Sequence, residues 1–77
     1  MKINGMNYEF VVTSANDFDC LSLECASDEG VLLEAELASY KERKAIIHFH
    51  KKSVPFEVLE EFSRRVTQEL NEGAGNK

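Results

Sequence analysis

The apolar residues between Val54 and Glu72 recur at the spacing of an α-helix. They fall on one stripe, formed by Phe56, Leu59, Phe62, Val66 and Leu70, with Val58 and Ser63 at its edges. The opposite face is charged, and its spacing predicts the ion pairs Glu60–Arg64 and Glu61–Arg65. Pro55 suits the first helical turn, Ser53 or Val54 is expected as the N-cap, and Gly73 is expected to end the helix.

Before this helix, apolar and polar residues mostly alternate, as they do in half-buried strands. The predicted strands are 6–13, 19–27, 31–39 and 45–50. Alternation assigns an inward set to each strand: Tyr8, Phe10 and Val12; Leu21, Leu23 and Cys25; Val31, Leu33, Ala35 and Leu37; Ala45, Ile47 and Phe49. The pattern predicts an α+β fold, a four-stranded antiparallel meander with one C-terminal helix packed on one face.

The predicted loops set the register of the strands. Asp28, Glu29 and Gly30 form a short hairpin loop, which places Cys25 opposite Leu33 and Ala35 opposite Leu23. On the other face, Glu24 is expected opposite Glu34 and Ser22 opposite Glu36. Across the charged turn 40–44, the expected pairs are Glu36 with His48 and Glu34 with His50.

Length and composition predict one domain spanning residues 1–77, with an ordered core of about 6–72, a loosely held lead at 1–5 and a flexible tail at 73–77. The chain is 43% hydrophobic and 30% charged, which is typical of globular proteins, and it has neither a long apolar run nor a signal-like N-terminus. We therefore expect a cytoplasmic protein. Cys20 and Cys25 are expected on opposite faces of one strand, about 16 Å apart, as reduced thiols.

The net charge of −5 disfavours direct binding to nucleic acid or to an anionic membrane, and favours a basic protein as partner. No motif indicates a catalytic residue or a cofactor, so we expect a protein that is not an enzyme. The outer face of the predicted sheet is the candidate binding surface, because acidic residues there surround apolar ones. Its residues are Glu24, Leu32, Glu34, Glu36, Ile46, His48 and His50.

Two alternatives use the same face. His48 and His50 project the same way from one strand, so with Glu34 they are weak candidates for a metal site. A homodimer through this face, or through an edge strand, is the other alternative. The expected Glu24–Glu34 pair slightly destabilises the sheet, because like charges lie directly opposite each other. Two interpretations stay open: a polar outer face on which the histidines relieve the repulsion, or a binding face.

The run GVLLEAELASYKERKAIIHFHKKSVPFEVLEEFSRRVTQEL covers about half of the chain and contains two recurring features. These are an L-x-E-x-x-x-turn-x-I-x-F hairpin and a VP-F/L-E-x-L-E helix start. In both it resembles small bacterial sheet-plus-helix proteins, some of which are immunity proteins encoded beside polymorphic toxins. The resemblance implies a cytoplasmic protein that neutralises a toxin through its acidic face. A phage-type inhibitor of a nucleic-acid-binding complex is the other role expected for such a face.

Overall fold

The computed structural model of the chain describes residues 1–14 and 20–75. Four strands form one antiparallel sheet in chain order, β3-β4-β5-β6, and a single C-terminal helix follows them. The elements are β1 (Lys2–Ile3), β2 (Met6–Asn7), β3 (Glu9–Ser14), β4 (Leu21–Ser27), β5 (Gly30–Ser39), β6 (Lys44–Phe49) and α1 (Phe56–Gly75). The predicted α+β meander with a C-terminal helix is confirmed. Most of the predicted turn 14–17 and the last two residues lie outside the described part.

The first residues of the chain are paired, contrary to the expectation of a loose lead. β1 and β2 form a small antiparallel hairpin around Asn4 and Gly5, which have positive φ angles of 50° and 83°. Asn-Gly is the preferred pair for such a tight turn, because both residues tolerate this backbone conformation. Met1 closes the hairpin, since its amino group donates to the Tyr8 carbonyl and its own carbonyl accepts from the Tyr8 N–H.

The core lies between α1 and the two central strands. The fully buried side chains include Phe62 and Val58 of the helix and Leu33, Leu37 and Cys25 of the sheet. Val58 was expected at the border of the apolar stripe, so α1 is rotated about its axis relative to the prediction. The burial of Cys25 is confirmed, and Cys20 and Cys25 form no disulfide with each other.

Five apolar residues that were predicted to face the core are exposed instead. Phe49 is 60% exposed and Phe56 is 67% exposed, and Val12, Leu21 and Ile47 are also exposed. Ile47 and Phe49 belong to β6, which is an edge strand, and Phe56 is the first residue of α1. Alternation assigned Ile47 and Phe49 to the correct face of the sheet. It does not indicate how far across the sheet the helix extends.

Leu32 was expected on the outer face, but it is only 6% exposed and belongs to the core cluster. The cause is a β-bulge, because Cys25 pairs with Leu33 while the next residue, Ala26, pairs with Val31. Leu32 is therefore the extra residue, which interrupts the alternation of β5. The predicted place of Leu32 at the centre of an exposed surface is wrong for this reason.

The pairing of β4 with β5 has the predicted register up to this bulge, including Glu24 opposite Glu34 and Ser22 opposite Glu36. From Leu33 to Glu36 of β5, the pairing with β6 differs from the prediction by two residues; an irregularity follows, and Ser39 pairs with Lys44. Glu34 lies opposite His48, and Glu36 lies opposite Ile46. A shift by two leaves every side chain on its predicted face, because side chains alternate with a period of two.

Both ends of α1 differ from the prediction. The Pro55 carbonyl accepts hydrogen bonds from the N–H groups of Val58 and Leu59, so Pro55 is the N-cap and the helix begins at Phe56. The helix also continues past Gly73 to Gly75. The glycine was expected to end the helix because glycine favours the position after the last helical turn.

A charged cluster on α1 contacts the edge strand β3. Glu61 accepts hydrogen bonds from Arg64 at 3.0 and 2.6 Å and from Arg65 at 2.7 Å. The predicted Glu61–Arg65 pair is therefore present, whereas Arg64 pairs with Glu61 and not with Glu60. The guanidinium carbon of Arg65 lies 4.5 Å from the centre of the Phe10 ring, which is a cation–π contact between helix and sheet.

Replacement of Phe62 by alanine is expected to lower the free energy of unfolding by about 3–5 kcal/mol, because it leaves a cavity between helix and sheet. Phe56→Ala is the matched control on the same helix, and it is expected to change stability by about 0.5 kcal/mol or less, since Phe56 is exposed. Urea denaturation of both variants measures the difference. Equal losses would contradict the burial of Phe62 as the centre of the core.

The Glu61 cluster predicts a specific response to acid. Hydrogen bonds from Arg64, and then from Arg65, lower the pKa of Glu61 from 4.5 to about 2. Because the folded-state pKa is the lower one, the stabilisation is present above pH 4.5 and is lost as the pH falls from 4.5 to about 2. Glu61→Gln is thus expected to reduce the melting temperature at pH 7, with the gap to wild type closing towards pH 2. Glu60→Gln is the control, and a gap that does not change with pH would contradict the prediction.

Candidate functional site

The outer face of the sheet, away from α1, carries two cross-strand rows of side chains. One row runs Val11, Glu24, Glu34, His48 across the four strands, and the next runs Thr13, Ser22, Glu36, Ile46. We call these eight residues, together with His50, the outer-face cluster. Of the seven residues predicted for the binding surface, the fold brings six together here, and the seventh, Leu32, is in the core.

Glu34 is held at the centre of the outer-face cluster by two neighbours. Its Oε2 accepts a hydrogen bond of 3.2 Å from the hydroxyl of Ser22, and its Oε1 lies 3.1 Å from His50 Nε2. Ser22 is 0% exposed, so this hydroxyl supports the carboxylate from beneath and leaves no polar group of Ser22 unsatisfied. Alternation predicts an outward position for Ser22, but no signal in the sequence indicates this supporting role.

Glu36 and His48 form a second pair on this face, with 3.2 Å between Glu36 Oε1 and His48 Nε2. A carboxylate only accepts hydrogen bonds, so in both pairs the imidazole N–H donates. The expected partners, Glu36 with His48 and Glu34 with His50, are therefore in contact. They meet diagonally across β5 and β6, because the register lies two residues from the predicted one.

Glu24 differs from the other two carboxylates. It lies directly opposite Glu34 on the neighbouring strand, yet no side-chain hydrogen bond or ion pair to Glu24 occurs within residues 1–14 and 20–75. Its half-buried carboxylate therefore keeps its capacity to accept hydrogen bonds from outside the fold. Within the described part of the chain, Glu24 thus differs from Glu34 and Glu36, whose carboxylates have side-chain partners.

Exposed aliphatic side chains flank the three carboxylates. Val11 on β3 is 52% exposed and Ile46 on β6 is 50% exposed. The acidic centre thus lies between two apolar positions on the outer strands, which reverses the predicted arrangement of an apolar centre with an acidic rim. The burial of Leu32 is the reason for this reversal.

Several residues of the outer-face cluster are exposed, including Val11, Ile46 and His50. A shallow cavity of about 100 Å³ lies elsewhere, against Glu9, Asp28 and their neighbours, and a wide groove runs along α1 past Arg64 and Gln68. Neither depression contains a residue of the predicted site. Among the residues that the structure describes, no group of three His, Cys, Asp or Glu side chains is arranged to hold a metal ion. The candidate metal site of His48, His50 and Glu34 stays a hypothesis.

No protein-family model matches the chain, and comparison with curated proteins and with solved structures finds no match either. The resemblance to small bacterial immunity proteins therefore stays a prediction. Within the described part of the chain, no helix has the length and apolar character needed to cross a membrane.

Neutralising Glu24 is expected to stabilise the fold. Glu24→Gln removes the repulsion from Glu34 while preserving the shape of the side chain, so we expect the free energy of unfolding to rise by about 0.2–1 kcal/mol. The gain should shrink as salt is added, because salt screens the repulsion. Urea denaturation at low and high ionic strength measures it. Glu60→Gln, on the exposed face of α1, is the control, and an equal gain from that variant would contradict a local origin.

Proposed function

We propose that this protein is a small binding domain that takes a basic partner protein on its outer-face cluster. The observation that carries the proposal is Glu24, a half-buried carboxylate opposite Glu34 with no partner of its own in the described part of the chain. The Glu24–Glu34 pair of like charges weakens the sheet. Its presence is explained if a cation from another molecule binds Glu24 and neutralises the repulsion.

Binding would proceed in two physical steps. The three carboxylates and the net charge of −5 attract a basic surface and orient it before contact. A lysine or arginine of the partner then pairs with Glu24, and an arginine does so with two parallel hydrogen bonds. Val11 and Ile46 contribute apolar contact area on either side.

Several features of the surface support binding rather than catalysis as its role. Val11 and Ile46 of the outer-face cluster are about half exposed, so water reaches this face and is not excluded from a reacting group. Glu34 and Glu36 are already engaged by His50 and His48, which fixes their positions. A rigid, preformed charged surface loses little entropy when a partner docks on it.

The finer proposal is that the partner is a toxin or another basic effector, which the domain neutralises in the cytoplasm. The resemblance of the hairpin and of the helix start to those of immunity proteins supports this role. An inhibitor acts by covering the active or binding surface of its target. An acidic face of a sheet is suited to cover a basic surface.

Reversing the charge of Glu24 is expected to separate binding from stability. Glu24→Lys places a cation opposite Glu34, so the free energy of unfolding should rise by about 0.2–1 kcal/mol, while capture of a basic partner from a lysate of the native host should be lost. Capture followed by mass spectrometry measures the binding, and urea denaturation measures the stability.

Glu60→Lys is the matched control, because it makes the same change of charge on the exposed face of α1. It should retain the partner that Glu24→Lys loses. Loss of the partner from both variants would mean that net charge alone attracts it, and retention by both would remove the outer-face cluster as the binding surface.

A further inference from the structure

The strand β6 has exposed apolar side chains on both faces of the sheet. Ile46 lies on the outer face, and Ile47 and Phe49 lie on the side of α1 without being covered by it. β6 is the last strand in the sheet order, so within the described part of the chain no strand pairs with its second edge. An exposed apolar edge of this kind can accept an additional strand.

Along β6, the backbone N–H and C=O groups of alternate residues point towards β5 or towards the free edge. One hydrogen bond identifies which residues point towards which side. The His50 N–H donates to the Leu32 carbonyl at 2.8 Å, so His50 belongs to the set that bonds to β5. In an antiparallel pair, this set contains every second residue, which here includes His48 and Ile46. The N–H and C=O groups of Ala45, Ile47 and Phe49 are therefore directed away from the sheet.

Positive charges lie at both ends of this edge. The exposed basic residues are Lys41, Arg43 and Lys44 before or at the start of β6, and Lys51 and Lys52 after it. Together with Glu42 they give the segment 40–52 a net charge of +4, which leaves −9 on the rest of the chain. We call this segment the basic edge, and its charge is opposite to that of the outer face.

The charges select among the strands that could pair with β6. A second copy in the antiparallel orientation would bring Lys44 towards Lys51 and Lys52 of its partner, and these like charges oppose pairing. An extended segment with acidic residues at both ends meets a positive charge at each end in either orientation. Its alternate apolar side chains would lie beside Ile47 and Phe49, on the face that α1 leaves open.

We infer that the basic edge is a second binding surface, which takes an extended peptide segment with an apolar centre and acidic ends as a fifth strand of the sheet. Main-chain hydrogen bonds to Ala45, Ile47 and Phe49 supply the pairing, and the flanking lysines supply the preference for acidic ends. The argument for this surface does not rest on the basic partner proposed for the outer-face cluster.

The test uses a synthetic probe, Asp-Glu-Val-Thr-Val-Thr-Val-Glu-Asp, titrated into the ¹⁵N-labelled full chain and followed by NMR. The expected result is saturable binding, with the largest amide shifts at Ala45, Ile47 and Phe49. The same peptide with lysine in place of its acidic residues is expected to bind at least about tenfold more weakly. Equal binding of the two peptides would overturn the charge argument.

Two N-methylated probes test strand addition without changing the protein. One carries N-methyl groups on its valines and the other on its threonines, so each loses the N–H groups of one edge only. Pairing along one edge of the peptide predicts that one probe binds and the other does not. Equal binding of both, or a failure of the unmodified probe to bind at all, would overturn the proposal.

Lys52→Glu is expected to weaken binding of the acidic probe about three- to tenfold, whereas Lys2→Glu, an equal change of charge on β1, should leave it unchanged. Both lysines are exposed, so neither variant alters the core. Equal weakening by both variants would contradict a local role of the edge.

Two further measurements address other occupants of β6. If an oligothymidylate bound more strongly than the acidic probe and shifted the same amides, the ligand of this edge would be single-stranded nucleic acid and not a peptide. If sedimentation showed a dimer that the probe does not dissociate, the occupant of this edge would be a second copy of the chain. A monomer that binds only the acidic probe supports the proposal.

Discussion

The width of a single helix is the constraint on which the rest of this structure depends. Adjacent strands lie about 4.8 Å apart, so four strands span about 14 Å between their outer axes, while a helix with its side chains is about 10 Å across. One helix therefore covers the central strands and leaves part of the sheet open. Leu33 and Phe49 lie directly opposite each other on β5 and β6, yet Leu33 is fully buried and Phe49 is exposed.

The same constraint explains where sequence reasoning succeeded and where it did not. Alternation predicts which face a side chain occupies, and it did so for Cys25, Leu33 and the carboxylates on the other face. It contains no information about the distance of a strand from the helix, so Phe49 had the same pattern as a core residue. The exposure of Phe56 has a related cause, since helical periodicity fixes a stripe and leaves the rotation of the helix on the sheet to packing.

Registers and bulges were predictable only in part. A shift of two residues between β5 and β6 leaves each side chain on the same face of the sheet, so the hydrophobic pattern does not distinguish the two registers. The geometry of the turn decides between them. The bulge lies within Val31-Leu32-Leu33, an unbroken apolar run with no alternation to reveal an extra residue. The N-terminal hairpin was readable from Asn4 and Gly5, because that pair is a strong turn signal.

The outer-face cluster and the basic edge share residues, and this has a consequence for binding. Ile46 and His48 point to the outer face, but they belong to the strand whose free edge forms the basic edge. A fifth strand at β6 would lie beside these two side chains and would change their exposure and their charged surroundings. Binding free energies at two coupled sites are reciprocal, so a partner on one surface alters affinity at the other by the same factor. An acidic segment next to His48 would add negative charge beside the outer face, and it would therefore strengthen the attraction of that face for a basic protein.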